Sequence, residues 1–305
     1  MRNTNINKRD VCLACISFIL LLFAKSSLAC DVCGSSANAN YFGILPQFKQ
    51  HFVGIRYSNL SFDSKHIPSL SGQVTNSKDM LQRGELWGRF YPTKRLQLFA
   101  FVPYQVNLKA EEGNATQNNG LSDMSVLANY ILINTGDSGS FSWRHSLSIG
   151  GGVKAPTGKF DNNGIPSLQI GTGTWDYLFN AIYTARYKQV GVNVDANYRL
   201  NSSNTNYQFG NRLTSSMRFF YWKKMRMSSI LPHIGMMMEY AEKDIQDKVV
   251  QKYTGGTGMY AATGFDVYFR KWAVGGLLAL PISENLNEGL VKTKQRITFQ
   301  VLYLF

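Results

Sequence analysis

The chain has 305 residues, with 32 Lys and Arg against 19 Asp and Glu, and 44% of it is hydrophobic. That excludes a disordered chain, and 16 Tyr, 19 Phe and 27 Gly with only 17% charged residues favour sheets with tight turns over helix bundles. The net charge of +13 would suit nucleic acid, but beyond Lys223-Lys224 the basic residues form no run and no recognition-helix pattern occurs, so no nucleic-acid partner is expected.

Residues 1–29 read as a secretory signal peptide. Arg2, Lys8 and Arg9 make a basic start, Val11 to Ala24 is apolar, and Ser27-Leu28-Ala29 offers a small-residue cleavage site before Cys30. The apolar run is shorter than the roughly 20 residues that a membrane-spanning helix needs. Lipidation of Cys30 is an alternative, although Ser27 stands where a lipobox carries Leu. Cleavage leaves two cysteines, Cys30 and Cys33, and no later run long and apolar enough for a spanning helix.

Residues 30–50 form a short N-terminal segment around Cys30-x-x-Cys33. Two thiolates at this spacing can hold a soft metal or cycle as a redox pair, and a local disulfide is the equal alternative in an oxidising periplasm. Gly34 follows where haem attachment needs His, and no second CxxC or nearby His pair completes a zinc site. No cofactor is expected.

From His51 onward the apolar period is two, the period of strands. Twelve segments recur, at roughly 51–62, 80–91, 95–108, 121–133, 140–154, 172–187, 190–201, 207–222, 227–241, 259–270, 272–282 and 294–305. Long polar connections at 63–79, 109–120, 155–171, 242–258 and 283–293 alternate with short turns such as Lys188-Gln189 and Lys271. An even number of strands with long loops on one side and short turns on the other is the outer-membrane pattern. The fold class expected over residues 51–305 is therefore all-β, a twelve-stranded antiparallel transmembrane β-barrel of the bacterial outer membrane. In the last strand Ile297, Phe299, Val301, Tyr303 and Phe305 alternate toward lipid. The terminal Phe305 suits recognition by the barrel-assembly machinery.

Parity separates two faces. Over 190–201 the even positions are Val190, Val192, Val194, Ala196, Tyr198 and Leu200, and the odd ones carry Asn193, Asp195, Asn197 and Arg199. Applied to every strand, parity turns Arg56, Arg83, Glu85, Arg89, Arg144, Asp176, Arg186, Asp195, Arg199, Arg212, Arg218, His233, Glu239, Asp266, Arg270 and Arg296 toward the lumen. An Arg on the lipid face at mid-bilayer costs roughly 2–4 kcal/mol, which favours the inward assignment. The basic excess predicts a lumen that prefers anions. Tyr41, Phe42, Ile44 and Leu45 before the first strand need cover, so the N-terminal segment is expected at the periplasmic mouth or inside the lumen as a plug.

Gly120-Leu121-Ser122-Asp123, Gly150 to Gly158 (GGGVKAPTG) and Gly171 to Asp176 (GTGTWD) resemble motifs of the outer-membrane family named for the MetA pathway of phenol degradation. The resemblance spans about Phe52 to Phe305 and implies passage of small molecules, aromatic ones among them. Cys30 to Gly34 with Asn40 to Pro46 is similar to the start of Bacteroidetes-type transporter members of that group. Physically the glycines permit positive φ or close backbone approach where strands meet an external loop.

Other chemistry is thin. His51, His66, His145 and His233 are not paired at ligand spacing, and in Met236-Met237-Met238 only alternate residues share a face. Outer-membrane phospholipases place a Ser two residues after a His, whereas Leu147 stands two after His145. No base-activated nucleophile is evident, so an enzyme is not expected. The expected function is an outer-membrane channel or transporter-like barrel for a small, aromatic or anionic solute. The alternative is a metal-binding or thiol-redox protein working through Cys30 and Cys33.

Overall fold

The computed structural model describes residues 50–66, 75–111, 113–135, 143–161, 166–204 and 206–305. The signal peptide, the Cys30-x-x-Cys33 segment and the plug expected of residues 30–49 lie outside them.

The alternating segments form twelve barrel strands. They are β1 (Phe52–His66), β2 (Thr75–Thr93), β3 (Leu96–Glu111), and β4 in two pieces, Asn114–Leu121 and Ser125–Asn134. Then come β5 (Trp143–Lys154), β6 (Asp176–Tyr187), β7 (Val190–Leu200), β8 (Arg212–Tyr221), β9 (Ser228–Ala241), β10 (Gly256–Phe269), β11 (Trp272–Leu286) and β12 (Val291–Leu304). Each pairs antiparallel with its chain neighbours, and β12 returns to β1 through Phe52↔Leu304, Arg56↔Gln300 and Leu60↔Arg296. Closure leaves no strand edge, the condition for a sheet to cross a bilayer.

Several hairpins run past the expected strand ends. β1 and β2 stay paired up to His66↔Thr75, and β3 and the first piece of β4 up to Glu111↔Asn114. Stretches within 63–79 and 109–120 are thus strand where loops were expected. Above the bilayer both faces meet water, so alternation fades while the backbone ladder continues. The strand expected from Tyr207 begins instead at Arg212, because Tyr207–Gln208 pairs with Ile245–Gln246 in a small separate sheet.

Val53, Ile55, Leu86, Phe90, Tyr130, Ile149, Tyr177, Phe179, Phe265, Trp272 and Phe299 stand exposed on the outer face, where lipid covers them. The largest apolar belt of the inner face runs from the periplasmic ends of β1 and β12 round to the extracellular part of β6. Phe52, Trp87, Phe99, Phe101, Leu127, Leu178, Ile182, Phe220, Leu231, Tyr268, Leu302 and Leu304 form a single buried cluster there.

Candidate functional site: the barrel lumen

Guanidinium groups lie over rings of the inner face, both in this belt and outside it. Arg56 lies over the Trp87 ring at 4.6 Å and faces Phe101 at 5.8 Å. Arg89 stands 5.0 Å from the rings of both Phe52 and Tyr91. Arg186 covers Trp222 at 4.2 Å, and Arg296 covers Tyr260 at 3.8 Å. A planar cation on a ring face is held by the ring quadrupole and keeps its N–H edge for other partners.

Carboxylates tie several of these cations to the wall. Glu85 accepts from both Arg56 and Arg83. Asp195 takes Arg218 at 2.7 Å and the Ser216 hydroxyl at 2.5 Å. Glu239 pairs with Arg296, whose other amino group donates to Tyr260 Oη at 2.6 Å. His233 Nε2 stands 4.0 Å from Asp266 Oδ2, and Gln300 donates to Asp266 Oδ1 at 3.2 Å.

Of the residues that parity turned inward, Arg56, Arg83, Glu85, Arg89, Asp176, Arg186, Asp195, Arg218, His233, Glu239, Asp266 and Arg296 are buried. Arg144, Arg199 and Arg212 are half-buried. Arg270 is different: it is exposed in the turn between β10 and β11, at φ 51, beside the Phe269 ring. The expected strand 259–270 ran one residue too far, because the chain already turns at Arg270 and strand parity ends at Phe269. Of the methionine run only Met237 faces in, while Met236 and Met238 are exposed. His145 is on the outer face, its Nδ1 2.8 Å from Tyr183 Oη.

The family-like motifs assemble into a knot at the extracellular end of β5. Lys154 donates to Asp123 Oδ2 at 2.5 Å, meets Asp176 Oδ2 at 2.8 Å, and donates to Thr172 Oγ1. Asp123 also accepts from the amides of Gly158 (2.9 Å) and Thr172 (2.8 Å). Asp176 Oδ1 accepts from Thr174 Oγ1 at 2.8 Å and from the Ser202 amide at 3.0 Å. A Cβ on Gly158 would stand 2.9 Å from the Gly171 Cα, so both positions need glycine for the loop to fold back on itself. Asp123 and Lys154 escaped the inward assignment because they sit where strand parity breaks: Asp123 falls between the two pieces of β4 and Lys154 is the last residue of β5. Asp79 was missed likewise; it is buried on the extension of β2 and accepts from Ser64 Oγ at 2.6 Å.

Residues 70–221 match the family described as "Putative MetA-pathway of phenol degradation". The COG4313 outer membrane channel from Pseudomonas putida F1 is similar over 87% of this chain and 100% of its own, at 14% identity and a TM-score of 0.65. This is a bacterial outer-membrane β-barrel. The Beta domain of the Bordetella autotransporter BrkA is similar over 83% of this chain and 100% of its own, at 9% identity and a TM-score of 0.47. No curated protein matches the chain.

The outer-membrane barrel therefore has lipid around the apolar outer face and a lumen lined by charged and aromatic side chains within. Among its described residues no three His, Cys, Asp or Glu side chains gather as a metal-binding group, and no helix is long and apolar enough to cross a membrane. His66 ends β1.

Proposed function

We propose that this barrel is a channel for a small aromatic or anionic solute. The observation that carries the reading is Arg56 and Arg89 seated on the inward rings of Trp87, Phe52 and Tyr91. Glu85 already accepts from Arg56 and the Gln50 carbonyl from Arg89, so what this surface offers a planar anion is aromatic rings backed by fixed guanidinium charge, which neither lipid nor bulk water supplies. Lumen residues hold the solute by contact and charge and leave its bonds intact, so the reading is transport rather than catalysis.

The inward charge supports the anionic side. Adding Lys154 and removing Arg270 leaves the number of basic groups unchanged, while Asp79 and Asp123 add to the acids. Among the fully buried described residues the acids are no fewer than the cations, so the basic excess rests on the half-buried Arg144, Arg199 and Arg212 and is smaller than parity alone implies.

The test is flux into proteoliposomes. Vesicles containing the barrel should take up benzoate faster than protein-free vesicles, and the double substitution Arg56→Gln/Arg89→Gln should slow uptake. Uptake equal to that of empty vesicles would sink the channel reading.

Assembly belongs to the same proposal. Phe305 N donates to His51 O at 3.0 Å, and its ring stacks on His51 at 5.6 Å, where the first and last strands meet. A terminal aromatic placed at that seam suits capture of the last strand by the barrel-assembly machinery.

A further inference from the structure

The short turns gather at the end of the barrel where β12 stops and β1 begins, the periplasmic end. The four that the structure describes cover residues 92–95, 188–189, 222–227 and 270–271. Together they hold eight Lys or Arg and no acid, and all eight are exposed. The opposite end mixes both signs: over 242–252 Glu242, Asp244 and Asp247 stand with Lys243, Lys248 and Lys252. One-sign charge is thus a property of the periplasmic rim and not of the connections in general.

The side chains show where this charge is aimed. Lys188 Nζ stands 5.3 Å from the Tyr187 ring, Arg270 Cζ 5.4 Å from Phe269 and Lys271 Nζ 5.9 Å from Tyr303. Arg95 donates to Tyr130 Oη at 3.4 Å. Tyr130, Tyr187 and Phe269 are exposed on the outer face, in the position of the aromatic girdle that marks the edge of the hydrocarbon. Met225 and Met227 add exposed apolar side chains to the turn between β8 and β9. A long cationic side chain laid along an interfacial ring keeps its stem against apolar surface and its charge at the depth of the headgroups. These cations therefore lie round the perimeter, beside the bilayer, rather than over the mouth of the lumen. A protein approaching from the periplasm would meet them turned sideways.

We propose that the periplasmic rim is a collar for anionic phospholipid headgroups of the periplasmic leaflet. It is independent of what the lumen passes. A headgroup phosphodiester carries one negative charge, and its oxygens accept from an ammonium or guanidinium set beside a girdle ring. A zwitterionic headgroup brings its own ammonium and has less need of the protein's. The cations follow β2, β6, β8 and β10, so the collar holds several lipids spaced round the wall rather than one.

The experiment reads lipid selectivity. The barrel is reconstituted in phosphatidylcholine vesicles with a trace of chain-spin-labelled lipid, and electron spin resonance measures the fraction immobilised on the protein. Labelled phosphatidylglycerol should associate about fivefold more tightly than labelled phosphatidylcholine, the scale of one cation near an anionic surface. High salt should bring the ratio toward one. The variant Lys94→Gln/Lys188→Gln/Lys224→Gln/Lys271→Gln should lose most of the preference, and Lys248→Gln/Lys252→Gln at the opposite end should keep it. Equal association of the two lipids with the wild type would overturn the collar and leave the rim to an acidic periplasmic protein. A preference that the four-lysine variant retains would overturn it as well. So would a preference cancelled by inorganic phosphate at constant ionic strength, which would assign the rim to free anions. Should the four-lysine variant not fold, the wild-type ratio and its salt dependence decide.

Discussion

Lys154 donates to Asp123 Oδ2 at 2.5 Å and thereby ties the end of β5 to the break in β4. Both side chains are nearly inaccessible, at 5% and 4%, and Asp176 shares the same ammonium. Removing one member of a buried ion pair typically costs about 3–5 kcal/mol, because the remaining charge has no compensation. Lys154→Met strands two acids and should lower the temperature at which the folded barrel converts to the unfolded gel form. Lys154→Met/Asp176→Asn should recover part of the loss. An unchanged transition in Lys154→Met would show that the knot contributes nothing to stability.

Deleting Phe305 removes the ring on His51 and the amide bond to His51 O at the seam. The seam keeps its ladder from Phe52↔Leu304 onward, so a barrel that has formed should stay folded. The expected effect is on assembly: lower outer-membrane levels with a near-normal melting point for the fraction that inserts. Normal levels would count against Phe305 as an assembly signal.

Residues 34–48 carry Tyr41, Phe42, Ile44 and Leu45 directly before the first strand. If they take cover in the lumen, their deletion should raise single-channel conductance severalfold without altering the heat-modifiable gel shift. Unchanged conductance in a folded deletion variant would remove the plug from the account.

The wall of the barrel was legible in the sequence because period-two alternation records which face meets hydrocarbon, and a slip of one residue would invert it. Val190 to Asn201 shows this: Val190, Val194, Tyr198 and Leu200 are exposed outward, while Asn193 and Asp195 are buried inward. The knot was not legible for the same reason. Lys154 and Asp123 stand at strand ends, where a polar residue in the lumen and one in a loop look alike, and only the fold brings Gly158 against Gly171. Arg270 was misplaced by a single step, since nothing in Phe269-Arg270-Lys271 marks which residue begins the turn.

The central claim is that the lumen passes small anions in preference to cations, and the reversal potential in a gradient of sodium benzoate tests it most directly. A basic, aromatic lumen predicts a potential displaced toward that of benzoate, and Arg56→Gln/Arg89→Gln should move it back toward zero. A potential on the sodium side that persists after the external loop charges are neutralised would contradict the account.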